Sequence, residues 1–213
     1  KVQAGASLRH LGEIHRDGIM KTTAAPQDFF PVHRALMTDL YQLTMAPGYF
    51  VSVKIPKRLT DAGLGDRCRV LTPLGFEPAL APIIHAKAEL AAGDIGVRAG
   101  EARLLLVGHG SKVARASAEA TEAVAASLRG LGGFARIETA YLEEPPFLAD
   151  VVLADTRPTV VVGFFNGDGL HAAEDVPEAI GGFDGAIAYT GPVGAFPEIS
   201  RLIARAIAEG IDR

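Results

Sequence analysis

Short apolar runs alternate with longer amphipathic segments through the second half of the chain. Residues 104–107 and 160–162 contain only leucine or valine, which is typical of strands buried on both faces of a parallel sheet. Between them, the alanine-rich residues 114–131 can place apolar side chains on one helical face, before a glycine pair ends the helix. The pattern predicts strands at 103–108, 134–142, 159–165 and 185–190, and helices at 114–131, 146–154, 172–180 and 197–209. Alternation of this kind predicts an α/β fold with a parallel sheet covered on both faces.

The first half of the chain is less regular. Residues 54–62 and 77–92 are predicted to be helical, and 69–71 to form a short strand. The apolar residues 35–46 are compatible with either a strand or a helix. Residues 93–101 are rich in glycine and charge, so we expect them to link the two halves.

Short blocks of sequence recur along the chain at a nearly constant spacing of about 120 residues, which indicates an internal repeat. The matched positions are residues 6–12 with 126–132, Gly48 with Gly169, Pro56 with Pro177, and 73–75 with 192–194. We therefore expect two related α/β lobes, a degenerate one at 1–98 and one carrying the site at 99–213. The first lobe is expected to be incomplete, because the counterpart of residues 108–111 would fall before Lys1.

Two of the buried strands run into glycine-rich loops that each carry a histidine. One strand leads into Gly-His-Gly-Ser at residues 108–111, and the other into Asn-Gly-Asp-Gly-Leu-His at 166–171. Ligands of parallel α/β sheets bind at the carboxyl ends of the strands. We therefore predict that His109 and His171 form one working site.

Composition excludes several kinds of protein. Of the 213 residues, 48% are hydrophobic and 22% charged, which favours a packed globular protein. A net charge of −4 argues against nucleic-acid binding through bulk charge. No apolar run approaches the roughly 18 residues of a membrane span. The single cysteine, Cys68, precludes an internal disulfide and fits a reducing compartment, so a cytoplasmic protein is expected.

The ordered motifs resemble those of the class II chelatases of the CbiX and SirB type, which insert cobalt, iron or nickel into sirohydrochlorin-like tetrapyrroles. The resemblance is carried by residues 105–111, 140–143, Gly169-Leu170-His171 with Asp175-Val176-Pro177, and 191–194. It implies two flavodoxin-like lobes facing each other across a cleft. It also implies a lyase-type metallochelatase of cobalamin or siroheme biosynthesis, with the divalent metal as substrate and no organic cofactor or ATP.

The same resemblance implies a site of two histidines and a glutamate, which bind the metal and handle protons. Carried over, these residues are His109, His171 and Glu143. Two neutral imidazoles suit a borderline divalent ion that must later leave, and histidine can remove pyrrole protons near neutral pH. Phe50 occupies the position of His171 in the first copy, and Thr23 falls near that of Glu143, so the first lobe is expected to lack an equivalent site.

The substrate of such an enzyme carries many carboxylates. Ser111, Lys112 and Arg115 are predicted to open the helix after the first histidine loop, where free backbone N–H groups favour anions. We expect these three residues to anchor substrate carboxylates. Glu174 and Asp175 are interpreted instead as charges in the first turn of a helix.

Other interpretations are left open by the residues. Glu143 has a neighbouring Glu144, and either carboxylate could be a solvated surface charge. A metal or tetrapyrrole carrier on the same fold would bind without accelerating insertion. Residues 37–46 resemble the opening of nicotinate phosphoribosyltransferases, although the chain is too short for such an enzyme. A histidine phosphatase is disfavoured because Gly108, not arginine, precedes His109.

Overall fold

The computed structural model describes residues 38–40 and 43–211. The strands are β1 (Thr38–Leu40), β2 (Cys68–Val70), β3 (Arg103–Gly108), β4 (Arg136–Tyr141), β5 (Thr159–Gly163) and β6 (Ile187–Pro192). The helices are α1 (Ile55–Asp61), α2 (Leu80–Asp94), α3 (Ala116–Leu131), α4 (Leu148–Leu153), α5 (Val176–Ile180) and α6 (Pro197–Ile211). The predicted α/β class is confirmed, and no described helix is both long and apolar enough to cross a membrane.

The main sheet has four parallel strands in the order β4-β3-β5-β6. Every residue of β3 and β5 is buried, as expected for continuous apolar runs covered on both faces. The chain passes from β3 outward to β4 on one side, then to β5 on the other. In doubly wound sheets this reversal opens a crevice at the carboxyl ends of the two strands that flank it, here β3 and β5.

The two faces of the main sheet are covered by different helices. Side chains at alternate positions of β3 and β5 pack with α2, α3 and α6 on one face, and the intervening ones pack with α4 and α5 on the other. The first set comprises Leu104, Leu106, Val160 and Val162, and the second comprises Leu105, Val107 and Val161. The period of two follows from strand geometry.

The final helix of each half packs against the sheet of the other half. Helix α2, which follows the first sheet in sequence, contacts α3, β5 and β6, whereas α6 contacts β1. Leu80, Ile84 and Ala88 of α2 are fully buried in the core of the second sheet. The two halves therefore share one hydrophobic core. The division of the chain into lobes at residues 1–98 and 99–213 stays a prediction.

The same strand pairing occurs in both halves. Strands β1 and β2 form a parallel two-stranded sheet in which Thr38 pairs with Cys68. Strands β5 and β6 are parallel in the same register, with Thr159 paired to Ile187. These positions differ by 121 and 119 residues, which are the offsets found in the sequence. The architecture is compatible with an internal duplication, although the block at residues 6–12 lies outside the described residues.

A second feature that recurs in both halves is a glycine whose N–H donates a hydrogen bond to a loop carbonyl. The N–H of Gly75 donates to the carbonyl of Thr44 at 3.2 Å, and that of Gly194 donates to the carbonyl of Phe165 at 2.9 Å. Both glycines lie in short 3₁₀ turns that follow a proline. A Cβ at Gly194 would collide with the backbone carbonyl of Asn166, so this close approach requires glycine.

The helix predicted at 172–180 is two elements, a π-helical turn at His171–Asp175 followed by α5. Pro177 explains the difference, because proline lacks an N–H and its ring excludes the carbonyl four residues earlier. The first half has the same arrangement, with a π-helical turn at Phe50–Lys54 and Pro56 two residues later. Proline therefore accounts for the wider turn in both halves.

Tyr189 of β6 has a buried hydroxyl without a hydrogen-bond partner in the described part of the chain. Burial is the main cause that raises the pKa of Tyr189 to about 12, and the negative charge of Asp168 adds to it. The phenol therefore stays protonated at any physiological pH. Its hydroxyl leaves no room for a side chain at Gly163, the last residue of β5.

Replacing Gly194 tests the close approach to the histidine loop. We expect Gly194→Ala to lower the free energy of unfolding by about 1–3 kcal/mol, because the new methyl group must displace the carbonyl of Asn166. Gly182→Ala is the matched control, since a Cβ there meets no atom within 4 Å. Chemical denaturation of both variants measures the difference, and equal stability would contradict the packing described.

Tyr189→Phe, which removes the buried hydroxyl, is expected to leave the free energy of unfolding unchanged or to raise it by about 1 kcal/mol, since an unpaired buried donor is costly. The matched variant is Tyr141→Phe, which removes a hydroxyl that donates to the carbonyl of Ala118 at 3.4 Å. That variant should lose about 0.5–1.5 kcal/mol. Thermal and denaturant unfolding compare the two, and a larger loss for Tyr189→Phe would show that its hydroxyl has a partner.

Candidate functional site

His109 lies at the carboxyl end of β3, in a turn that requires glycine on both sides. A Cβ at Gly108 would collide with Thr121, and one at Gly110 would lie 3.0 Å or less from Tyr141 and Glu144. Gly110 also has a φ of +75°, a conformation that L side chains rarely adopt. The turn therefore leaves His109 half-buried at the end of the strand.

His171 reaches the same edge of the sheet from β5. The strand ends at Gly163, and residues 166–170 form a largely exposed loop. His171 is the first residue of the π-helical turn that follows, and its side chain is 39% exposed. Because β3 and β5 are adjacent parallel strands, their carboxyl ends bring the two loops together.

The two imidazole rings form a pair. The Nε2 atoms of His109 and His171 are 3.0 Å apart, and the rings meet nearly at right angles, with their centroids separated by 4.4 Å. Each Nδ1 atom contacts an oxygen on the far side of its ring. His109 Nδ1 lies 2.8 Å from the carbonyl oxygen of Gly110, and His171 Nδ1 lies 2.5 Å from Oδ2 of Asp175.

The structure distinguishes Glu143 from Glu144. The carbonyl of His109 accepts hydrogen bonds from the N–H groups of Leu142 and Glu143, at 3.3 and 3.0 Å, so β4 is tied directly to the histidine turn. Glu144 Oε1 accepts the N–H of Ser111 at 3.0 Å and thereby clamps the same loop. Glu144 thus has a structural partner, whereas Glu143 is exposed beside the site.

A cavity of about 520 Å³ lies beside the histidine pair, and both His171 and Glu143 line it. Its other acidic lining residues are Asp150, Asp175 and Glu178. A cavity lined by one sign of charge concentrates ions of the opposite sign, so this one favours cations over anions. Within residues 43–211, no three His, Cys, Asp or Glu side chains gather closely enough to hold one ion. That His109, His171 and Glu143 together bind one metal ion stays a prediction.

The predicted carboxylate anchors lie in the loop before α3 and at its boundary, not in its first turn. The helix begins at Ala116, and the Ser111 N–H, which was expected to be free, is occupied by Glu144. Lys112 and Arg115 are exposed, with the Arg115 guanidinium 3.7 Å from the Glu119 carboxylate. The Ser111 N–H is therefore not available to bind a substrate carboxylate, whereas the side chains of Lys112 and Arg115 are exposed.

Asp175 is a site residue that the sequence does not single out. The sequence predicts a charge in the first turn of a helix there, but the structure places its carboxylate on His171. The available signal was the spacing of four residues, which brings side chains to one face of a helical turn. At the corresponding positions of the first half stand Phe50 and Lys54, so both members of this pair are replaced together.

Comparisons with known proteins agree with the motif-based resemblance. The family model CbiX matches residues 103–210. A probable sirohydrochlorin cobaltochelatase of Halobacterium salinarum is 30% identical, over 79% of this chain and 71% of that protein.

Solved structures give the same result. The structure of CbiX, the terminal enzyme for siroheme biosynthesis in denitrifying bacteria, is 33% identical and aligns with a TM-score of 0.70 over 81% of this chain and 75% of that one. SirB from Bacillus subtilis with Fe³⁺ has a TM-score of 0.68 over 83% and 72% of the two chains, and at 16% identity it supports the fold alone. The chain therefore belongs to the CbiX family of chelatases.

Proposed function

We propose that this protein inserts a divalent metal ion, cobalt or alternatively iron or nickel, into sirohydrochlorin or a related tetrapyrrole. The observation that carries the proposal is the pair of Nε2 atoms 3.0 Å apart, on His109 and His171, in the crevice between β3 and β5. The named activities of the relatives, a probable sirohydrochlorin cobaltochelatase and a terminal enzyme of siroheme biosynthesis, support the substrate. The protein would act as a lyase-type chelatase of the cytoplasm, in cobalamin or siroheme synthesis.

The histidine pair has the dimensions of two ligands on one ion. Two nitrogens about 2.1 Å from a metal are about 3.0 Å apart when they subtend a right angle, and about 3.4 Å apart at the tetrahedral angle. The observed 3.0 Å therefore suits adjacent positions around an ion with right-angled coordination. Imidazoles without a thiolate bind Co²⁺, Fe²⁺ or Ni²⁺ while leaving other positions open, so the ion can pass to the macrocycle nitrogens.

Metal insertion releases two protons from the macrocycle for each divalent ion that enters. As the ion moves to the pyrrole nitrogens, the Nε2 lone pairs of His109 and His171 become available to accept those protons. Glu143 is exposed beside His171 and can carry protons onward to solvent. Charge is conserved in this exchange and no electron is transferred, so the step needs no redox cofactor. We propose, as the family resemblance implies, that it needs no other organic cofactor and no ATP.

The two sides of the histidine pair carry opposite charges, so each side favours a different substrate. The acidic cavity beside His171 attracts a cation and repels the carboxylates of a tetrapyrrole. Lys112 and Arg115 lie exposed after the other histidine loop, where they can contact substrate carboxylates together with the hydroxyl of Ser111, whose N–H is already bonded to Glu144. We therefore place the metal ion on the cavity side and the macrocycle on the side of residues 111–115.

Replacing either histidine is the direct test of the site. We expect His109→Ala and His171→Ala each to lower the insertion rate by about 100-fold or more, because each change removes a metal ligand and a proton acceptor. The measurement is the absorbance change on mixing protein and sirohydrochlorin with Co²⁺, Fe²⁺ or Ni²⁺ in turn. A wild-type rate in either variant would overturn the site, and a wild-type protein that binds the metal and the tetrapyrrole without accelerating insertion would be a carrier instead.

Glu143 and Glu144 are predicted to respond differently to the same substitution. Glu143→Gln should lower the maximal insertion rate by about 10-fold or more while leaving stability unchanged, since its carboxylate is exposed and is proposed to accept protons. Glu144→Gln should instead lower the free energy of unfolding by about 1 kcal/mol, since it weakens the bond to Ser111. Insertion kinetics and denaturant unfolding of both variants decide the assignment, and a larger rate loss in Glu144→Gln would reverse the two roles.

A further inference from the structure

The hydrogen-bond partners of the two imidazoles determine which nitrogen of each ring carries a hydrogen. A carbonyl oxygen and a carboxylate can only accept, so the Nδ1 atoms of both His109 and His171 must be the donors to Gly110 and Asp175. In the neutral rings, both Nε2 atoms are then without hydrogen. The two Nε2 atoms, 3.0 Å apart, consequently both carry bare lone pairs.

Two bare lone pairs this close repel each other unless both are directed at a shared positive charge, so this arrangement favours a bound cation. The other tautomer of His171 would remove that property. With its hydrogen on Nε2, His171 would donate directly to the bare Nε2 of His109 at 3.0 Å. That hydrogen bond would occupy both lone pairs and close the pair to a metal ion.

We propose that Asp175 is a positioning residue that holds His171 in the Nδ1-protonated tautomer and so keeps the histidine pair open to the metal ion. This inference rests on the proposed chelatase function. Of the two neutral tautomers, only the open one can make the 2.5 Å contact between His171 Nδ1 and Asp175, because a bare Nδ1 would face a carboxylate that has no hydrogen to give. The same bond also fixes the plane of the ring.

The turn that carries the pair supports this assignment. His171 and Asp175 are the first and last residues of the π-helical turn, and Asp175 is 40% exposed, so the carboxylate is held by the imidazole rather than by the core. The equivalent turn of the first half begins with Phe50 and ends with Lys54. A π-helical turn therefore forms without this carboxylate. Asp175 is thus not needed to form the turn, and its role is to hold the His171 ring.

The test is Asp175→Asn, which preserves size but provides an amide N–H that can donate to a bare Nδ1. We expect the Nε2-protonated form of His171 to appear in long-range ¹H–¹⁵N NMR spectra of the metal-free variant, recorded beside the wild type under the same conditions. We also expect the maximal rate of Co²⁺ insertion to fall by about 10- to 100-fold, the usual effect of losing such a partner. The KM for sirohydrochlorin should stay close to its wild-type value.

Glu174→Gln is the matched control, because it removes one exposed carboxylate from the same turn. It should keep both the His171 tautomer and the insertion rate of the wild type. The proposal is overturned if Asp175→Asn retains the wild-type tautomer and rate, or if Glu174→Gln loses as much activity, which would point to the general charge of the cavity. The NMR result does not require turnover, so failure of this proposal is distinguishable from failure of the chelatase assignment.

Discussion

The parallel pairing of β3 with β5 is the constraint on which the site depends. The two strands are adjacent and in register, Leu104 beside Val160, so their carboxyl ends finish at the same edge of the sheet. Two histidines 62 residues apart in sequence are thereby brought to an Nε2 separation of 3.0 Å. The apolar side chains that bury both strands supply the free energy for this pairing, so the hydrophobic core indirectly sets the spacing of the site.

Local backbone chemistry converts that pairing into a precise arrangement of rings. Glycine at 108 and 110 permits the tight turn around His109, and Pro177 favours the wider π-helical turn that begins at His171. Glu144 then clamps the first turn through the N–H of Ser111. Each histidine is therefore held both by its backbone and by an oxygen on Nδ1, which leaves the Nε2 atoms as the chemically available pair.

The two halves of the molecule share several backbone features, but only the second half has the proposed site residues. Strand register, the glycine-carbonyl contact, the π-helical turn and its following proline all recur with offsets of 119 to 121 residues. The residues that would do chemistry do not recur, since Phe50 and Lys54 stand where the second half has His171 and Asp175. The first half nevertheless contributes α2 to the shared core, which gives it a structural role in supporting the sheet that carries the site.

The sequence alone determined the fold class, the order of strands and helices in the second half and the two histidine loops, because hydrophobic period, glycine and proline act over a few residues. The repeat that it indicates is compatible with the structure. It did not determine the carboxylates. Glu143 and Glu144 are neighbours with the same chemistry, and only the packing of β4 against the turn at 109–111 directs Glu144 to Ser111. Asp175 was likewise indistinguishable from an ordinary helix charge until the π-helical turn placed it on His171. Such hydrogen bonds depend on side-chain directions set by long-range contacts, so only the tertiary structure decided them.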